Sequence, residues 1–283
     1  MNADFASMDA GTDNFKTIIT HDRPARAIRK PGRERRKRRW GMVRIFLVRH
    51  GETAWNRDEV FRGRADIPLD ENGRSQAGRA SEFLRGEGLA AVYSSPLLRA
   101  TETAKRIAMP HGLSVNKDQA FIDMDFGEWE GKSHGAVKSS YPLIYERWLG
   151  EPHRARIPGG ETLAKVRKRG FTAFSRIALK HRKDDSIAII SHRVVTKLLL
   201  CALLGIGNSR FWQIRQDTCC INLVELPGDG FIREETTAFR RWQRSVSERM
   251  ETTGFSRWSF IVHYINMTGH LGMRAGTPLP PDF

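Results

Sequence analysis

Residues 1–41 show no apolar period, and a regular pattern begins at Val43. Val43-Arg44-Ile45-Phe46-Leu47-Val48 is a short β-branched and aromatic run, as a buried strand requires. Asn72-Gly73 predicts a turn, and a helix follows from Arg74 to Arg85 that presents Ala77, Ala80, Phe83 and Leu84. Ala90-Ala91-Val92-Tyr93 predicts a second strand, ending at Ser94-Ser95-Pro96, and Pro96 suits the start of a helix from Leu97 to Ala108. A loop-rich stretch with Gly127, Gly131 and Pro142 comes next. Pro158-Gly159-Gly160 then opens a helix striped by Leu163, Val166, Phe174 and Ile177. Ser186 to Ile190 predicts a third strand, Val194 to Leu204 an apolar helix, and Ile221 to Leu226 a fourth strand. Thr236 to Phe283, with Trp242, Trp258 and a Pro-rich end, predicts a helix or irregular segment packed on the domain.

Strands that alternate with helices, without an internal repeat, predict an α/β protein: a three-layer α/β/α sandwich around a mostly parallel sheet. With 283 residues at 40% hydrophobic, the chain can bury one large core without metal or disulfide support. The expected organisation is a basic, disordered arm over 1–41, one domain over 42–235 and an extension over 236–283. The longest apolar run, Leu198 to Ile206, is far short of the roughly 20 residues that span a bilayer. Cys201, Cys219 and Cys220 offer neither a disulfide framework nor a C-x-x-C zinc pair. That usage fits a reducing compartment, so a cytoplasmic location is expected.

The formal charge of +15 divides unevenly. Residues 1–41 hold eleven basic and five acidic side chains, six of the basic ones between Arg33 and Arg39, which leaves +9 for the rest. Such an arm could neutralise phosphates on a nucleic acid, and nucleic-acid binding is expected, if at all, only there. A solvated tail is the plainer expectation, because the run lacks interleaved aromatics and Met42 stands at the first strand as an alternative start.

Two predicted strands end in histidine-bearing turns. Arg49-His50-Gly51-Glu52-Thr53-Ala54-Trp55-Asn56 follows the first, and Ser191-His192-Arg193 follows the third. In an open parallel sheet, ligands bind at the carboxyl ends of strands, so histidines 142 residues apart can face one pocket. Ser94-Ser95-Pro96-Leu97-Leu98-Arg99 leaves another strand end and places Arg99 at a helix start. Arginines suit bidentate phosphate contact, and they disfavour protonation of a neighbouring histidine, which keeps it nucleophilic. The set Arg49, His50, Asn56, Arg99 and His192 therefore points to a phosphoryl pocket that works without a cofactor or metal.

The same residues carry a resemblance to the histidine phosphatase superfamily, in its bacterial phosphoglycerate-mutase-like branch. Arg49-His50-Gly51-Glu52-Thr53 is followed in order by Asp66-Ile67-Pro68-Leu69, Gly73, Gln76-Ala77, Ser94-Ser95-Pro96 with Arg99, Gly127-Glu128-Trp129-Glu130-Gly131, Pro158-Gly159-Gly160-Glu161 and Ser191-His192. The match runs from Val43 to about Leu226, around two-thirds of the chain. It implies that His50 is the nucleophile that becomes phosphohistidine. It further implies that Arg49, Arg99 and His192 bind the phosphoryl group with help from Asn56. Where many relatives carry a glutamate as general acid this chain has Asp123, with Asp125 and Glu128 as the other nearby carboxyls. Arg193 stands where relatives often have glycine.

Glu52, Thr53, Arg62, Gly63 and Arg193 are candidate substrate contacts, although Arg62 and Arg64 read first as solvated loop arginines. His111, His134, His153 and His181 lack a partner pattern and read as surface residues or neighbours of the site. Lys165, Arg167, Lys168 and Arg169 read as the wet face of their helix, and Cys219-Cys220 as packing at a strand entrance. The expected activity is metal-independent hydrolysis of a small phosphorylated metabolite. The alternatives are phosphoglycerate-mutase-type transfer and a non-catalytic phosphate or nucleic-acid binder with a basic tether. Neither substrate nor oligomeric state follows from the sequence.

Overall fold

The computed structural model describes residues 42–182, 184–227 and 261–272. The arm expected over 1–41 lies outside them, as does most of the extension over 236–283. The strands are β1 (Met42–Arg49), β2 (Leu89–Ser94), β3 (Val115–Lys117), β4 (Ser186–Ser191), β5 (Ile221–Pro227) and β6 (Ile261–Met267). They form one sheet in the order β3-β2-β4-β1-β5-β6, in which β3, β2, β4 and β1 pair in parallel and β5 pairs antiparallel with both β1 and β6, so that β5 alone runs against the others. The helices are α1 (Ala54–Arg57), α2 (Glu71–Leu84), α3 (Leu98–Ala108), α4 (His134–Ser140), α5 (Pro142–Gly150), α6 (Leu163–Lys180) and α7 (Arg193–Leu203).

Alternation along the strands divides the core into two layers. Ile45 and Leu47 of β1 point to one face with Ile187 and Ile189 of β4, where Val166 and Phe174 of α6 and Leu198 and Leu199 of α7 cover them. Phe46, Val48, Ala188 and Ile190 point to the other face, under Ala77 and Ala80 of α2 and Ala100 and Ala104 of α3. The central strands read as nearly continuous apolar runs because both of their faces are dry. Helices on both faces of a mostly parallel sheet are the architecture expected from the sequence.

Several elements differ from the expectation. Asn72-Gly73 is not a turn: α2 starts at Glu71, and the Asp70 side chain caps it by accepting from the Gly73 N–H at 2.7 Å. Three-residue β3 and helices α4 and α5 occupy stretches that read as loop. Residues 261–267 are a strand rather than a helix or irregular segment, paired to β5. That strand braces the turn before β5: Asn266 Nδ2 donates to Asp217 at 2.8 Å, and the Asp217 N–H donates to Asn266 Oδ1 at 2.6 Å.

The turn after β1 is pressed against the start of α2. The Asp70 N–H donates to the Glu52 carbonyl at 3.1 Å, and the Glu52 N–H donates to Gln76 Oε1 at 2.9 Å. A Cβ on Gly73 would sit 2.0 Å from the Glu52 carbonyl oxygen, and one on Gly51 would sit 2.5 Å from the Gly73 oxygen. These contacts are backbone against backbone, so no side chain can turn aside to relieve them. Gly73→Ala is therefore expected to destabilise the protein by about 2 kcal/mol or more. Gly78→Ala, in the same helix with nothing within 4 Å of its Cβ, is expected to stabilise by about 0.5–1 kcal/mol. Denaturant unfolding of the two variants checks the opposite signs.

Candidate active site

The parallel pairing of β1 with β4 sets Arg49 opposite Ser191. The next residue on each strand is a histidine. The His50 N–H continues the ladder by donating to the Ser191 carbonyl at 3.0 Å, and the two imidazoles meet at 5.1 Å between centroids. Both are buried. His50 Nδ1 lies 2.6 Å from the Gly51 carbonyl oxygen, which can only accept, so Nδ1 carries the proton and Nε2 keeps its lone pair. Burial, and then the guanidiniums of Arg99, Arg49 and Arg62, hold the His50 pKa well below the usual histidine value. His192 is held down in the same way, by burial first and then by Arg99, His50 and Arg62.

His192 is oriented by a residue whose partner role the sequence did not disclose. Its Nε2 lies 2.7 Å from Ser95 Oγ, which also accepts from the Leu97 N–H. A hydroxyl that donates to Nε2 leaves the imidazole proton on Nδ1. Nδ1 makes no hydrogen bond and stands 3.6 Å from Asp123 Oδ2.

Arg99 is fully buried in the first turn of α3. Its guanidinium donates to the carbonyls of Gly63 and Ala65, each at 2.8 Å, and to Asp123 Oδ2 at 3.3 Å. Arg49 is buried at the end of β1 and bonds the Gln216 carbonyl in the turn before β5. Of the three candidate carboxyls, Asp123 alone lines the cleft over His50. Asp125 accepts from the Gly127 N–H and pairs with Arg64 at 3.1 Å. Glu128 is exposed and accepts from the Tyr141 hydroxyl.

The remaining candidates divide. Gly63, Arg62 and Arg193 line the same cleft as His50. Glu52 turns toward α2, where it accepts from Asn72 Nδ2 at 3.0 Å. Thr53 caps α1, and Asn56 Oδ1 accepts from both the Thr53 N–H and its hydroxyl. Arg62 is thus no solvated loop residue, whereas Arg64 ties Asp125 to Glu161 outside the cleft. His134 lines the cleft, stacks on Phe61 at 4.1 Å, and has its pKa lowered to about 4 by burial, Arg193 and Arg62.

Two arginines assigned to the wet face of α6 are anchored inside. Arg167 is buried and donates to the Ile206 carbonyl at 2.9 Å and to Asn208 at 2.8 Å. Arg169 donates to the carbonyls of Ala120, Ile122 and Asp123 at 2.7–2.9 Å and pairs with Glu161. It therefore fixes the backbone that carries Asp123. The facing loop is fixed as well. Phe61 exchanges backbone hydrogen bonds with Gly131 and Lys132, and Glu130 Oε1 accepts from the N–H groups of Arg64 and Phe126.

Comparison with known proteins agrees with this geometry. Residues 45–237 match the model of the histidine phosphatase superfamily, branch 1. Phosphoserine phosphatase 1 of Hydrogenobacter thermophilus is 36% identical over 187 residues, which cover 65% of this chain and 87% of that one. The bifunctional protein Rv2228c of Mycobacterium tuberculosis is 32% identical over 189 residues, 66% of this chain and about half (51%) of the relative. The solved structure of Bacillus stearothermophilus YhfR superposes with a TM-score of 0.63 at 30% identity, covering 66% of this chain and 92% of that one. With the family model matched over more than half its length, the chain belongs to the histidine phosphatase superfamily.

Proposed function

We propose that the protein hydrolyses a small phosphomonoester through a phosphohistidine on His50, with Asp123 as the proton carrier. The observation that carries this reading is the unprotonated Nε2 of His50, fixed by the Gly51 carbonyl and facing a cleft that also holds Asp123. Nε2 attacks phosphorus in line, the P–O bond to the alcohol breaks, and the Asp123 carboxyl gives its proton to the departing oxygen. Water then attacks the phosphohistidine while Asp123, now a carboxylate, takes its proton. Inorganic phosphate leaves, and His50 is again neutral.

The other groups stabilise charge. Arg99 and Arg49 act on the His50 imidazole through their charge, and His192 serves the phosphoryl group through its Nδ1, which makes no hydrogen bond. Buried cations with backbone carbonyls as partners act at full strength on the transferring group and need no reorganisation at the moment of reaction. Asn56, bound through Oδ1 to Thr53, keeps its amide nitrogen for the phosphoryl group. One relative bears the name phosphoserine phosphatase, which makes phosphoserine the first compound to assay.

Rapid-quench labelling with a radioactive phosphomonoester is expected to trap an acid-labile adduct on His50, and His50→Ala is expected to lose at least about 10⁴-fold in kcat. Full activity in that variant contradicts the mechanism. Activity is expected to survive a chelator, and transfer of the phosphoryl group to a second hydroxyl in place of release would make the protein a mutase.

The pH profile has a sign that follows from the lowered His50 pKa. A histidine whose pKa is depressed stays neutral as pH falls through 6.5, so kcat/KM is expected to show no histidine-like decline between pH 7 and 6. An inflection near 6.5 that disappears in the His50 variant would contradict it. Arg169→Ala is expected to lower kcat about tenfold with a smaller change in KM, because it frees the Asp123 backbone rather than removing a substrate contact. Steady-state kinetics, with Arg169→Lys restoring part of the loss, checks that split.

A further inference from the structure

The turn before β5 shares three hydrogen bonds with the end of β1. The Arg49 guanidinium bonds the Gln216 carbonyl, the Arg49 N–H donates to the Cys220 carbonyl at 3.2 Å, and the Cys219 N–H donates to the His50 carbonyl at 3.0 Å. The place of this turn therefore decides where the Arg49 guanidinium points. Residues 214–220 belong to no helix or strand, and Cys219 holds a left-handed φ of 56° that a residue with a Cβ adopts only at a cost. Side chains hold the turn in place.

Gln216 and Asn222 are fully buried and pair amide to amide, Nε2 donating to Oδ1 at 2.8 Å and Nδ2 donating to Oε1 at 2.9 Å. A side-chain amide can make four hydrogen bonds, two as donor and two as acceptor. Gln216 completes its set with the Arg215 carbonyl and the Cys220 thiol, and Asn222 with the Leu47 carbonyl on β1 and the Asn266 N–H on β6. A buried network with every position used specifies one geometry, and the loss of a member leaves polar groups unpaired in a dry place.

The bond from Asn266 exists because β6 bulges. Between the pairs Ile221–Met267 and Leu223–Tyr264, Ile265 and Asn266 together oppose Asn222 alone. Asn266 takes a left-handed φ of 55°, which asparagine tolerates better than most residues. Its N–H thereby reaches the Asn222 side chain at 2.8 Å, and its own amide grips Asp217 through both oxygen and nitrogen. Beyond the strand, His270 Nε2 donates to the Cys219 carbonyl at 3.1 Å. Residues 261–272 thus hold the turn near both of its ends, although they lie beyond the residues 45–237 that match the family model.

We propose that Asn266, acting through the Gln216–Asn222 amide pair and Asp217, is a positioning residue that aims the Arg49 guanidinium at the phosphoryl group. The strand outside the family-matched residues is then a working part of the phosphate site. This inference rests on the reading of Arg49 as a phosphoryl-binding cation, and it adds what sets the direction of that cation.

The test is a double-mutant cycle on the affinity of the full-length protein for inorganic phosphate, read by calorimetric titration, with thermal unfolding showing that each variant is folded. Asn266→Gly removes the grip on Asp217 and keeps a backbone that glycine adopts without strain. It is expected to weaken phosphate binding about tenfold, and Arg49→Gln to weaken it about tenfold or more. In the Arg49→Gln background, Asn266→Gly is expected to change the affinity by less than about twofold, because the group it positions is gone. A charge swap serves if Asn266→Gly fails to fold. Asn266→Asp sets two carboxylates together and is expected to weaken binding, and adding Asp217→Asn is expected to restore most of the loss. Unchanged affinity in folded Asn266→Gly overturns the inference. So does an equal loss with and without Arg49, the mark of a merely structural role, and both results leave the reading of Arg49 standing. If Arg49→Gln itself binds phosphate as tightly as the unmodified protein, that reading falls and takes the inference with it.

Discussion

The parallel register of β1 on β4 is the constraint on which the site depends. It places Arg49 opposite Ser191, so that each chain leaves the sheet at the same level and its next residue is a histidine. A shift of one residue would turn one imidazole to the other face and would move every core side chain of that strand with it. The hydrophobic pattern that builds the two cores therefore also sets the distance between His50 and His192. The close backbone contact of Gly51 and Gly73 fixes the turn that follows, and the Ser95 hydroxyl fixes the second ring.

Around that pair the protein gathers guanidiniums in a place where charge is expensive. Arg99 and Arg49 are buried, Arg99 donates to the carbonyls of Gly63 and Ala65 as well as to Asp123, and Arg49 bonds the Gln216 carbonyl. A carbonyl satisfies the N–H groups without cancelling the charge, which leaves the positive potential intact for a phosphoryl group. The same potential, added to burial, keeps both histidines neutral. One arrangement thus supplies an unprotonated nucleophile and stabilises the charge it acts upon. The loops around Gly63 and Asp123 are held by Arg99, Arg169 and Glu130, and a long stretch without apolar period is ordered by these polar contacts.

What could be read from the chain follows from how locally each feature is encoded. Strands β1, β2, β4 and β5 are buried on both faces and announce themselves as apolar runs, while the ordered motifs marked the strand ends where ligands bind. β3 has only three residues, two of them exposed, and carries no pattern. Asn72-Gly73 mimicked a turn because the glycine answers to a distant backbone, that of Glu52, and not to its own φ. Arg169 and Arg167 sit in a run of basic residues that looks like a solvated helix face, and only the loops packed over α6 reveal their partners. Arg62 misled for a similar reason, since a polar loop gives no sign of the cleft it lines. Ser95 stood in plain view inside a motif, but its bond to His192 crosses 97 residues of sequence.

The central claim is that His50 rests as a neutral imidazole with its proton on Nδ1 and its lone pair on Nε2. Nitrogen-15 chemical shifts of the histidine side chains, recorded on the free protein between pH 6 and 7.5, test it directly. The account predicts a His50 pattern of one protonated nitrogen, Nδ1, and one unprotonated nitrogen, Nε2, unchanged across that range. An imidazolium at His50, or the opposite tautomer with the proton on Nε2, would contradict it.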